Sequence, residues 1–199
     1  MSNIEHLLEN NRKWAKSKSK NKPNYFKNLA RPQKPKYLWI SCSDSRIPGT
    51  EIVGLVPGEV FVHRNIGNLV NFQDLNCMSV LQFAIATLNI SNILIVGHYQ
   101  CGAIKAAFTN KKMGLIDNWL LPIIDLKKNN SNILNSYKNF NSKLEKLSEL
   151  NVITQVNNLA KNSLIQSWKN KQDKKIKIYG LIYNLSNGLL KDLNCTMEL

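Results

Sequence analysis

KYLWISCSDSR, residues 36–46, joins an almost wholly apolar run to a cysteine, with an aspartate two residues later and an arginine two after that. The first half has the length and composition of a strand buried on both faces. The second half crowds a thiol, a carboxylate and a guanidinium together where such a strand ends. Outward from this stretch the pattern recurs. EVFVHR (59–64) follows a turn at PGE, NILIVGH (92–98) is a continuous apolar, β-branched run, and KIKIYGLIY (175–183) is a fourth strand. LNCMSVLQFAIATL (75–88) has helical periodicity, a helix begins near Gly102, and a long helical stretch covers about 143–170. Continuous apolar strands alternating with helices predict an α/β fold: a mostly parallel four-stranded sheet with helices on both faces. SNGLLKDLNCTM, near the end, is expected to add a short edge strand.

Before the first strand, residues 3–18 read as a charged amphipathic helix, which KSKSKNKP breaks for want of an apolar stripe. A short helical stretch around Tyr25–Ala30 leads to a second break at RPQKP. The expected organisation is one domain, 1–199, with a helical arm over 1–32 and an α/β core over 33–199. The arm falls outside the sheet and suits packing on a partner subunit.

Composition narrows the function. At 199 residues and 43% hydrophobic content the chain can bury a real core, and no segment approaches the roughly 20 apolar residues of a membrane span. The charged N-terminus lacks the apolar stretch of a secretory signal, so a cytoplasmic protein is expected, with no membrane partner. Four cysteines then suggest thiols or metal ligands before disulfides. The net charge of +14 comes from lysines mixed with asparagine and isoleucine, as in KNNSNILNSYKNFNSKLEKL. No basic run is interleaved with aromatics, and no nucleic-acid partner is expected.

Cys42 ends the first strand, His98 ends the third within GHYQCG, and Cys101 lies three residues on. Open α/β sheets bind ligands beyond the carboxyl ends of their strands, where strand order reverses. Two thiolates and an imidazole suit zinc, and three protein ligands leave one tetrahedral position open for catalysis. Asp44 has two possible places. It fills the fourth position and closes the site, or it stands beside a zinc-bound water as acceptor while Arg46 clamps it off the metal. Zinc with two thiolates is formally neutral, so activity should favour alkaline pH, with zinc-bound hydroxide as nucleophile for a small electrophile. His63 reads as a packed histidine, Cys77 as core, Cys195 as a bystander and His6 as solvent-facing.

CSDSR together with HxxCG resembles the β-class carbonic anhydrases, and Trp39, Arg64 and Tyr183 resemble the bacterial, bicarbonate-regulated type among them. The resemblance runs from about Gln33 to Asp192 and includes PGEVFVHRNIGNLV, DLNCMSVLQFA and GLIDNWLL. It implies reversible hydration of CO2 to bicarbonate and a proton, one Zn2+ per subunit, and a homodimer with swapped N-terminal helices, commonly paired into a tetramer. Carried over, Cys42, His98 and Cys101 are the zinc ligands and Asp44 with Arg46 the catalytic dyad. Gln33 matches a glutamine that reaches the neighbouring subunit's substrate site, and Gly102 a glycine whose amide faces the dyad carboxylate. Trp39, Arg64 and Tyr183 match a non-catalytic bicarbonate pocket, whose occupation favours the closed state with Asp44 on zinc and Arg46 displaced.

The chain departs from those relatives at Ser41, where they usually have glycine, and it ends at Leu199, where many continue into a further helix. The active site is expected to survive the second difference, with the tetramer less certain. Two other functions remain compatible with these residues: hydrolysis of carbon disulfide or carbonyl sulfide at the same zinc, and a bicarbonate sensor with a permanently closed site.

Overall fold

The structure, a computed structural model, describes residues 3–169 and 175–199. It divides into two compact units, Met1–Lys34 and Pro35–Leu199. In the first, helix α1 (Asn3–Asn21) is followed by α2 (Tyr25–Leu29). Helix α1 runs straight through the lysine–serine stretch expected to break it. Lysine is a good helix former whether or not it adds to an apolar stripe, and the helix stops only ahead of Pro23. The Trp14 ring meets Phe26 edge-on at 5.7 Å and Tyr25 at 6.3 Å, tying the two helices together.

The second unit is built on the expected sheet. Strands β1 (Tyr37–Cys42), β2 (Val60–Asn65), β3 (Asn92–His98) and β4 (Lys177–Asn184) are all parallel, in the order β2-β1-β3-β4. From β1 the chain moves outward to β2, then returns to the other side of β1 for β3. Strand order therefore reverses between β1 and β3, and a crevice opens at their carboxyl ends.

The edge strand comes in two pieces, β5 (Leu189–Asp192) and β6 (Met197–Glu198), both antiparallel to β4. Between them Leu193–Thr196 face only Tyr179 and Gly180 of β4, so the edge strand carries surplus residues and bulges. Asn194 takes the left-handed φ of 52° that the bulge requires, and the Cys195 sulphur turns inward onto Gly180, where any Cβ would collide with it.

Helices α3 (Leu75–Gln82), α4 (Gly102–Thr109), α5 (Ile116–Trp119), α6 (Leu121–Asn129), α7 (Ser131–Asn135), α8 (Phe140–Lys161) and α9 (Ser163–Lys169) surround the sheet. The stretch 75–88 is helical as far as Thr87, and its last turn, Phe83–Thr87, widens to π geometry. The long stretch expected over 143–170 is two helices rather than one, and residue 170 lies outside the described residues. Asn162 breaks it: its backbone turns extended and its side chain accepts from the Leu164 amide at 2.8 Å, capping α9. Helices α5 to α7 are too short to show periodicity, and no element was expected there.

One apolar cluster packs Leu38, Ile40, Ile93, Ile95 and Ile178 of the sheet against Cys77 and Leu81 of α3 and Val152, Val156 and Leu159 of α8. A second gathers Cys42, Cys101, Ile104, Ile123, Leu147 and Tyr183. Burial on both sides explains why β1 and β3 read as continuous apolar runs.

Gly97, the residue before His98, marks how closely α8 lies on the sheet. An added Cβ there would stand 2.5 Å from Val152 Cγ2. Gly97→Ala should therefore lower stability by about 1–3 kcal/mol, read as a lower urea midpoint with an unchanged slope. Adding Val152→Ala should recover part of the loss. An unchanged midpoint in the single variant would mean that this contact is not tight.

Candidate metal centre

Each candidate ligand residue is held by a different local device. Cys42 is the last residue of β1, with its neighbour Ser43 pinned by a hydrogen bond from its amide to the Asn65 carbonyl at 3.0 Å. His98 ends β3. The chain then turns through Gln100 at φ 59° and delivers Cys101 to the N-cap of α4. Because β1 and β3 are neighbours, these turns bring the three side chains together. Their ligand atoms all lie within 4.8 Å of one another, and all three residues are buried.

The two sulphurs are 3.9 Å apart. A tetrahedron with Zn–S bonds of about 2.3 Å needs them about 3.8 Å apart. His98 Nδ1 donates to its neighbour's carbonyl, Tyr99 O, at 2.9 Å, which in the neutral ring leaves Nε2 as the nitrogen with the free lone pair. That Nε2 is buried and has no hydrogen-bond partner. A buried, unpartnered lone pair facing two sulphurs is the donor set of a zinc site, and the residues present fit the metal.

Backbone amides supply the rest of the first surroundings. Cys42 receives the amides of Gly67 and Asp44, and Cys101 those of Ala103 and Ile104 in the first turn of α4. The pair divides its protons unequally. The hydrogen bond from Cys101 holds Cys42 well below the usual thiol range, and the same bond with burial pushes Cys101 up.

Asp44 and Arg46 form a two-pronged pair. Arg46 Nε donates to Oδ1 at 2.9 Å and Nη2 to Oδ2 at 2.7 Å, while the Arg46 amide also reaches Oδ1 at 3.0 Å. These bonds hold the Asp44 carboxyl well below the usual carboxylate range. Oδ2 points toward the ligands, 3.9 Å from His98 Nε2. In this structure the aspartate is thus clamped by arginine beside the cluster.

Of the other residues singled out in the sequence, Trp39 is fully buried on β1 and its indole Nε1 has no partner, like the Ser41 hydroxyl two residues on. Arg64 lies across from Ser41 on β2 and donates to the Cys42 carbonyl at 3.0 Å and the Asp44 carbonyl at 2.6 Å, splinting the chain that carries the dyad. Tyr183 is in register with His98, its carbonyl accepts the Tyr99 amide at 3.0 Å, and its hydroxyl faces Gly188. No hydrogen bond joins Trp39, Arg64 and Tyr183 to one another among the described residues. Gly102 opens α4 with free space where a Cβ would stand, and Gln33 is exposed in the N-terminal unit.

His63, Asp74 and Cys77 make a second close group, but its hydrogen bonds oppose a metal. The Asn65 amide is fixed both ways by Leu69, accepting from its N–H at 2.8 Å and donating to its carbonyl at 2.7 Å. Its second N–H therefore meets His63 Nε2 at 3.3 Å, making that nitrogen the acceptor and Nδ1 the protonated one. Asp74 caps α3 through the Asn76 amide, and burial pushes the Cys77 thiol up to about 12. The group is a satisfied piece of core.

Several residues around the centre carry no motif. Tyr99 donates its hydroxyl to Glu149 of α8 at 2.8 Å, and Glu149 also takes Lys191 at 2.9 Å and Lys146 at 3.2 Å. Asn151 donates to the Gly67 carbonyl at 2.9 Å, and Gln155 takes the Val70 amide and donates to Asn151, each at 2.9 Å. The available signal was a pair of polar residues four apart inside the apolar stripe Leu147, Val152, Val156.

With this geometry in hand, the comparisons are direct. The carbonic anhydrase family profile matches residues 37–190. A carbonic anhydrase of Emericella nidulans is 41% identical over 94% of this chain and 82% of its own length. A tetrameric β-carbonic anhydrase of Sordaria macrospora superposes with a TM-score of 0.93 at 33% identity, covering 99% of this chain and 100% of its own. The Coccomyxa β-carbonic anhydrase, solved in complex with acetazolamide, gives 0.92 at 36% identity over 99% and 89%. The chain belongs to the β-class carbonic anhydrases, enzymes that hydrate CO2.

Burial raises the Glu149 carboxyl, but the hydrogen bonds from Lys191, Tyr99 and Lys146 outweigh it and leave the group below its ordinary value of 4.5. A depressed carboxylate stabilises the fold above its unfolded pKa and loses that contribution as pH falls through the folded value. Glu149→Gln should therefore lower the urea midpoint at pH 7, with the gap to the parent closing as the pH falls below the ordinary carboxyl value of 4.5. A gap equal at both pH values would assign the loss to packing instead.

Proposed function

We propose that Cys42, His98 and Cys101 hold one zinc ion per subunit and that Asp44 with Arg46 carries the proton chemistry of CO2 hydration. Zinc bound there would supply a Lewis acid that makes water nucleophilic at neutral to alkaline pH. Asp44 has three tasks toward that water. It stays ionised because Arg46 donates to both its oxygens. It accepts a hydrogen bond through Oδ2, the oxygen nearer the ligands, and so aligns a lone pair toward CO2. It stays off the cluster because the guanidinium already occupies it. The observation that carries this reading is the clamped carboxylate 3.9 Å from a buried, unpartnered imidazole nitrogen.

The test is CO2 hydration by the zinc-loaded protein from neutral to alkaline pH. The rate should rise with pH. Asp44→Asn should retain zinc and lose about 10²–10⁴-fold in kcat/KM, the usual worth of a positioned acid–base group. A fully active Asp44→Asn would remove the dyad from the mechanism, and zinc lost from that variant would make Asp44 a ligand instead.

The same reading includes inhibition by bicarbonate at Trp39, Arg64 and Tyr183. Two buried donors without partners, Trp39 Nε1 and Ser41 Oγ, support it, since an oxyanion would satisfy both. Trp39→Phe keeps an aromatic ring and removes the donor. Inhibition by added bicarbonate should weaken in that variant with zinc content unchanged. Identical inhibition in parent and variant would exclude the pocket.

A homodimer, paired into a tetramer, is also part of the proposal. Helix α1 leaves Ile4, Leu7, Leu8 and Trp14 exposed, an apolar stripe suited to cover by a second copy, and the Sordaria relative is tetrameric. A cytoplasmic location is part of the same proposal. No described helix is long and apolar enough to cross a membrane.

A further inference from the structure

Gly67 joins two peptide units, and each is gripped at its carbonyl by a side chain given no role in the sequence reading. Trp119 Nε1 donates to the Ile66 carbonyl at 2.7 Å. That carbonyl and the Gly67 N–H are opposite ends of one peptide unit, and in a trans peptide they point in opposite directions. The N–H end addresses the Cys42 sulphur. One residue on, the Gly67 carbonyl is held by Asn151 at 2.9 Å, and Asn151 is braced in turn by Gln155. Asn151 and Gln155 are almost fully buried.

Glycine is obligatory at the centre of this arrangement. Its φ is +79°, and a Cβ would lie 3.2 Å from Ile123 Cδ1 and 3.3 Å from the Ala103 Cβ. The peptide thus has no latitude of its own, and its orientation is set by the two donors. A hydrogen bond accepted at the carbonyl also polarises the amide and strengthens the bond at its N–H end by about 10–30%.

We propose that Trp119 and Asn151 are positioning residues that aim the Gly67 amide at the sulphur of Cys42 and thereby set how strongly that ligand donates to the metal. An N–H···S bond withdraws electron density from a thiolate. Relaxing it leaves a more electron-rich sulphur in a less fixed place. Hydrogen bonds behind metal ligands typically contribute 10–100-fold in metal affinity, and helix α5 with α8 supplies them here. The inference rests on Cys42 being a metal ligand.

The experiment uses the full-length protein loaded with cobalt(II), whose thiolate charge-transfer absorption reports on sulphur directly. Trp119→Phe keeps a ring and removes the N–H. Asn151→Leu removes the second grip. Trp168→Phe makes the same chemical change in the other apolar cluster, away from the loop. In the Trp119 and Asn151 variants the band should move to lower energy, and loss of metal to a chelator should quicken about 10–100-fold. Trp168→Phe should match the parent in both. A Trp119→Phe protein with the parent's band and release rate would overturn the proposal, whatever Asn151→Leu does to stability. A parent that binds cobalt without any thiolate band would instead overturn the metal centre, and this inference with it.

Discussion

Two sulphurs 3.9 Å apart in a buried crevice, a pair that must carry charge if it is to hold a metal, set the terms for everything around them. Unscreened, such a pair would repel itself apart or hold on to its protons. The chain meets this constraint with peptide dipoles rather than charged side chains. Cys101 is at the N-terminus of α4, where the first turn's amides have no other partner. Cys42 takes amides from two separate turns, at Asp44 and Gly67. Neither device needs a lysine or arginine at the sulphurs, so the Arg46 guanidinium remains available for Asp44. The parallel sheet follows from the same need, because only its strand ends deliver two loops and a helix N-terminus to one point.

Behind that inner shell lies helix α8, which carries little chemistry and much of the alignment. Glu149 anchors the turn between His98 and Cys101 through Tyr99, and Asn151 anchors the loop that faces Cys42. Val152, the residue after Asn151, rests on Gly97 of β3. One helix thus bears on the loop facing Cys42, on the turn before Cys101 and on β3. Sheet and helix are coupled closely enough that a methyl group at Gly97 would be felt at the neighbouring ligand.

The sequence discloses the inner shell almost completely and the outer shell hardly at all, for a physical reason. Ligands must be chemically distinctive, and a strand end followed by a turn confines them to short windows, so Cys42, Asp44 and Arg46 can be read together, as can His98 and Cys101. The four parallel strands are equally plain, since burial on both faces forces unbroken apolar runs. Asn151 and Gln155 do the opposite. They are ordinary amides in a chain rich in asparagine, they act on backbone atoms that have no sequence identity, and their partners are more than eighty residues away. The break at Asn162 and the unbroken α1 show the converse hazard. Local preference is a weak guide wherever a side chain can either cap a helix or simply point to water. Arg64 illustrates a third case: its motif position was visible, whereas its grip on two carbonyls depends on the curvature of the chain after β1.

The pairing of Asp44 with Arg46 has a consequence for traffic. A carboxylate cancelled by a guanidinium adds no net charge to the mouth of the crevice, while the molecule as a whole carries +14. A neutral gas therefore enters without hindrance from any field. Once it has become an anion, it finds the Arg46 charge already taken by Asp44 and an attractive potential spread over the exterior. The pair makes the crevice a poor trap for its own product, and the lysine-rich surface supplies the downhill direction away from it.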